Sequence, residues 1–202
     1  MKLKKIEQII KAAKHIVVFE SPECQWIGDG HSLYPIYDLP HLEQGEFFTL
    51  FDIPDSQRGK FGFTVSELPS NLNFEDSDPT ELLLKREDFT LNIQGRTLEI
   101  LPSQCGLTFI DTKYLKPFSG TENGFDLTER LSEDGMPYIA VKDGLFLIGI
   151  ILPFDLHDDE RLIKTLKDLK FLAEKSRDYR ESLRESKTIQ MQVNSEEEIN
   201  ND

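Results

Sequence analysis

Leu3, Ile6, Ile9, Ile10 and Ala13 recur at the i, i+3, i+4, i+7 spacing of a helix, with Lys4, Glu7, Lys11 and Lys14 gathered opposite them, so the chain opens on an amphipathic helix. Ile16 to Phe19 is a short β-branched and aromatic run suited to a strand. From Gln25 to Tyr37 two apolar stretches are interrupted by Gly28-Asp29-Gly30, which predicts strand, tight turn, strand. Gly45 to Ile53 carries three Phe in a mixed pattern that fits helix and strand equally. Ser66 to Pro79 is polar, with only Leu68, Leu72 and Phe74 apolar, and reads as a surface loop at which the chain could subdivide.

Further along, Phe89 to Ile93, Thr97 to Leu101 and Leu107 to Ile110 predict an antiparallel meander turning first at Gln94-Gly95. Asp126 and Glu129 stand at capping-box spacing ahead of Leu127 and Leu131, which allows a short helix there. The clearest local signal is Tyr138 to Val141 and Leu145 to Leu152 around Asp143-Gly144, a hairpin pattern. Leu145 to Leu152 is apolar almost without alternation, so this strand should be central in its sheet. A last amphipathic helix begins near Asp158 to Glu160 and runs through Leu162, Ile163, Leu166, Leu169, Leu172 and Ala173. Beyond Ala173 the apolar seam fades, and the helix is expected to project.

These elements predict an α+β protein: a mainly antiparallel sheet covered by an N-terminal and a C-terminal amphipathic helix. Residues 1–187 are read as one domain, divisible at the 66–80 loop, and 188–202 as a disordered acidic tail. The longest apolar run, eight residues, falls short of the roughly 20 that cross a bilayer. No membrane partner is therefore expected. The opening segment is too interrupted by charge for a signal peptide, and Cys24 and Cys105 stand far apart, so a cytoplasmic protein with reduced thiols is expected.

Charge changes the picture mainly through its distribution. The 202 residues carry 37 acids and 23 bases, a net −14. Residues 1–14 hold five Lys and one Glu, whereas 15–154 hold 23 acids and 9 bases. An acidic body argues against nucleic-acid binding driven by overall charge, although Lys4 and Lys11 could contact phosphate from a local basic stripe. Solvation of an outer helix face accounts for the same lysines.

Trp26-Ile27-Gly28-Asp29-Gly30-His31 is the most distinctive run. Its Asp29 and His31 could offer a carboxylate and an imidazole to a metal or a water, with Trp26 and Tyr34 beside them as binding residues. The competing reading has the glycines shaping a hairpin, Asp29 bonding the turn backbone and His31 on a strand face. His15, His41 and His157 add no H-x-x-x-H or H-x-E pattern, so no metal and no cofactor are expected. The acids of His157-Asp158-Asp159-Glu160 suit a helix start as well as a cation, and neither cysteine lies in a C-x-x-C motif. Phe47, Phe48, Phe51, Phe61 and Phe63 could form a core, or a peptide or base-stacking surface; with only Arg58 and Lys60 nearby, core is the simpler reading.

The string Gln25 to Pro40 (QWIGDGHSLYPIYDLP), with FTLFDIP at Phe48 to Pro54, resembles prophage-encoded proteins of Firmicutes through a W-I-x-x-G-x-x-x-Y-P pattern. The resemblance implies a setting among mobile-element genes and transfers no catalytic residue. Asp143-Gly144 leading through Phe146 to Pro153 is similar to the closing strands of sliding-clamp subdomains. That similarity implies an acidic ring with basic helices toward DNA, of which one chain would supply only part.

The leading expectation is a non-enzymatic binding or assembly protein. It would act on a protein partner, by self-association through the C-terminal helix, or on DNA as part of an oligomer. A metal-assisted hydrolase using Asp29 and His31 is the enzymatic alternative. An acidic decoy of a DNA-binding host enzyme is the third.

Overall fold

The computed structural model describes residues 1–37, 39–86, 89–93, 95–104, 106–120, 124–154 and 164–181. Met1–Phe154 forms one compact unit and Asp155–Asp202 a second, described over 164–181, where it is helical. The start of that helix, the tail at 188–202, Cys105 and His157 lie outside the described residues. The fold is α+β, and among the described residues no helix is long and apolar enough to cross a membrane.

Helix α1 (Leu3–Ala13) buries Ile6, Ile9 and Ile10, the stripe its periodicity announces, each contributing about 2 kcal/mol of burial. Lys14 ends it in the left-handed conformation, its amide returning to the Ile10 carbonyl. The chain turns into β1 (His15–Glu20), then β2 (Gln25–Gly28) and β3 (Ser32–Ile36). The ambiguous Phe-rich segment is helix α2 (Gln44–Leu50): Glu43 and Glu46 form a reciprocal capping box at its start, and the helix buries Phe47 and Phe48 in the core. After the short α3 (Asp55–Arg58) comes β4 (Gly62–Glu67), laid parallel to β1. The strands β5 (Leu82–Leu83), β6 (Thr90–Ile93), β7 (Arg96–Ser103) and β8 (Gly106–Asp111) lead to a 3-10 segment at Thr112–Phe118. Then follow β9 (Asp126–Leu131), β10 (Pro137–Asp143) and β11 (Phe146–Ile151).

Eight strands form one sheet in the order β4-β1-β2-β3-β11-β10-β9-β5, antiparallel except between β4 and β1. The meander β6-β7-β8 is a separate three-stranded sheet rather than part of the same one. The β10–β11 hairpin is central, as its apolar run requires, but the run's ends are not covered: Leu145 and Phe146 stand exposed at the turn. Asp126 to Leu131 is a strand, not the helix its Asp…Glu spacing allows. Pairing with β10 and β5 buries both of its faces, and that tertiary pairing overrides a local capping signal.

Alternation along the strands sorts side chains onto two faces. Ile27, Tyr34, Ile139, Val141 and Ile151 look toward α1, α2 and the 3-10 segment and form the main core, together with Phe47, Phe51 and Phe118. The Phe cluster is therefore core. Trp26, Leu33, Tyr138, Ala140, Leu147 and Ile150 look the other way, where Leu68, Leu72 and Phe74 cover part of them.

Candidate functional site

The β2–β3 turn is built around Asp29. Its Oδ1 accepts the His31 and Ser32 amides (3.0 and 3.1 Å) and the Ser32 hydroxyl (3.3 Å), and its Oδ2 accepts the Tyr114 hydroxyl at 3.0 Å. Gly28 admits the returning strand, because a Cβ there would lie 1.6 Å from the Ser32 carbonyl oxygen. The carboxylate thus holds the turn and ties it to the 3-10 segment. Burial, with Asp29 beside it, pushes the Tyr114 hydroxyl far above its ordinary pKa, and burial does the same to Tyr34, whose hydroxyl donates to the Tyr114 carbonyl at 3.0 Å. Among the described residues no three His, Cys, Asp or Glu side chains come together as metal ligands.

The six residues singled out from sequence are not one site. Trp26 and Tyr34 are buried on opposite faces of the sheet. Asp29 is buried in its turn, while His31 is exposed. Lys4 is exposed on α1, and Lys11 is paired with Glu7 at 2.6 Å.

His31 does stand at the edge of a concave feature. A groove of about 310 Å³ lies on the second face, floored by the buried Leu33, Tyr138 and Ile150. Phe19, Leu72, Met136 and Leu152 form its sides, and His31, Asn71, Ser132 and Asp134 bring polar groups to it. An apolar floor with sparse polar groups at its margin is the ordinary chemistry of a binding surface. Met136, 67% exposed, adds a flexible apolar arm.

One side of the groove is a strap, residues 68–81, which overlaps most of the stretch read as surface loop and runs just past it. Arg130 of β9, fully buried, fastens it with all five of its N–H donors. Nη1 donates to the Asn73 and Glu75 carbonyls (3.2 and 2.8 Å), Nη2 to the Asp76 carbonyl (3.1 Å), and Nε and Nη2 both to Glu81 Oε2 (3.0 and 2.7 Å). Lys142 completes the pair at Glu81 Oε1, 2.7 Å away. Burial opposes ionisation of Glu81, but the bonds from Lys142 and Arg130 outweigh it and hold the carboxyl below the usual carboxylate range. Asp78 is also held low: burial is outweighed by bonds from Thr80 and Asn73. Phe74 meets Trp26 edge-on at 5.0 Å, the Asn73 amide donates to the Tyr138 hydroxyl at 3.0 Å, and Asp76 accepts the Leu147 amide at 2.7 Å. Trp26 therefore packs against the strap.

Of the six residues singled out from sequence, His31 alone lines this groove, and the other lining residues carried no sequence signal. Its residues come from five separate segments, and an arginine inside β9 announces nothing about the carbonyls it will bind. No family model matches the chain, and no curated protein or solved structure is similar to it.

Proposed function

We propose that this chain is a binding protein that receives two or three apolar side chains of a partner polypeptide in the groove between the strap and the β3-β11-β10 face. The observation that carries the reading is the groove itself: an apolar floor of Leu33, Tyr138 and Ile150, open to solvent beside a strap held rigid by a buried guanidinium. Its volume suits a few side chains rather than a folded element. The two stretches with sequence resemblances supply His31, Ser32, Leu33, Ile150 and Leu152 to it, so the expected binding or assembly role rests on those segments. Binding is favoured over metal-assisted hydrolysis because both oxygens of the Asp29 carboxylate already accept hydrogen bonds, from the turn and from Tyr114.

Selection of displayed random peptides of about a dozen residues on the immobilised full chain tests this. Enriched sequences should carry at least two large apolar residues, and their affinity should fall at least about tenfold for Met136→Glu and Leu72→Glu, which place a charge in an apolar contact. Enriched peptides that bind both variants as well as the parent chain would overturn the proposal.

A further inference from the structure

The large sheet has two edges, and they are treated differently. The β5 edge is two residues long, and brevity is one way in which sheets avoid unwanted pairing. The β4 edge, Gly62-Phe63-Thr64-Val65-Ser66-Glu67, is six residues long and exposed, with no proline, lysine or bulge to blunt it. Among the described residues no backbone other than β1 pairs with it.

Its hydrogen-bonding phase is defined. The Gly62 amide donates to the Lys14 carbonyl on the β1 side at 2.9 Å. Backbone groups alternate along a strand, so Phe63, Val65 and Glu67 turn their N–H and C=O groups outward. A symmetric antiparallel partner that keeps this phase and covers most of the strand is then centred on Thr64 or on Val65. Centring on Thr64 sets Val65, 51% exposed on the core-side face, against the partner's Phe63. Charge favours the same orientation. The β4 start lies among Lys60 and Lys14, and its end carries Glu67, which pairs across the sheet with Glu20. An antiparallel two-fold brings the basic end of one strand to the acidic end of the other.

We propose that β4 is a self-association edge: two copies of this chain join antiparallel through β4, centred on Thr64, into one continuous sheet. One edge pairing buries little area, so the dimer is weak, with a dissociation constant on the order of micromolar or looser.

Sedimentation equilibrium of the full chain from about 1 to about 500 μM reads the association. The expected result is a monomer–dimer equilibrium that Val65→Pro weakens at least tenfold. Proline there removes an outward N–H and no bond to β1, so the thermal midpoint should move little. Charge reversal tests the orientation without touching the backbone: Lys60→Glu and Glu67→Lys should each weaken the dimer, and the double variant should restore it. A monomer throughout the range, a dimer unaffected by Val65→Pro, or a double variant no tighter than the singles would overturn the proposal.

Discussion

The two faces of the eight-stranded sheet solve the same problem, covering apolar strands, with different materials. On one side α1, α2 and the 3-10 segment bring Ile, Leu, Tyr and Phe, and the contact is almost wholly apolar. On the other side the cover is an irregular strap whose Leu68, Leu72 and Phe74 are too few to hold it by burial alone. A buried Arg130 satisfied by carbonyls and by Glu81, itself shared with Lys142, does the holding. A helix bonds its own backbone and needs only an apolar stripe, whereas a loop brought against a sheet must find partners for its carbonyls elsewhere. The apolar face is sealed; the polar-fastened face leaves a groove open.

Substitutions that respect volume separate the two modes most sharply. Arg130→Met should destabilise by about 3 to 5 kcal/mol in urea unfolding, because Glu81 and three strap carbonyls lose a buried partner. Hydrogen exchange should show the loss first at 73–81. On the sealed face, Phe47→Leu should cost only about 1.5 kcal/mol and speed exchange across the sheet without singling out the strap. A strap-confined response to Phe47→Leu would break the distinction.

Acid separates the faces without mutation. Glu81 and Asp78 titrate below their unfolded values, so their stabilisation is complete above the unfolded carboxylate pKa, roughly 4, and is lost as pH falls through the depressed folded values. Amides of 73–81 should lose protection below about pH 4 before those of β2 and β3, as read by exchange at several pH values. Glu81→Gln should flatten that dependence. The smallest effect is expected at Lys11→Ala, whose half-buried i,i+4 pair with Glu7 should contribute about 0.3 to 0.5 kcal/mol and weaken in high salt.

Sequence made the sealed face legible and left the fastened one obscure. The spacing of Ile6, Ile9 and Ile10 and the Asp143-Gly144 signal act over a few residues; the helix buries its stripe as the spacing predicts, and the hairpin forms with its turn one residue on, at Gly144-Leu145. Arg130 acts over more than fifty positions on backbone oxygens, which any residue type supplies, so no pattern marks its partners. The alternation of Phe63 and Val65 with Thr64 and Ser66 is a strand signal that could have revealed β4, but it runs directly into the polar stretch beginning at Ser66. Asp126 to Leu131 carried a helix-like spacing that a doubly buried strand position overrode.

The seam between β3 and β11 has a kinetic consequence. The strands β4, β1, β2 and β3 come from residues 15–67 and β11, β10 and β9 from 126–151, with the short β5 between them in the chain, and the two sets meet at Leu33↔Ile150 and Ser32↔Ile151, extended by the Leu152 amide donating to the His31 carbonyl at 2.8 Å. Each set closes largely through near neighbours in the chain, a microsecond event for a hairpin, whereas the seam waits for distant ends to meet. The seam should therefore form late in folding, and a pulling force applied across it would part the sheet there first.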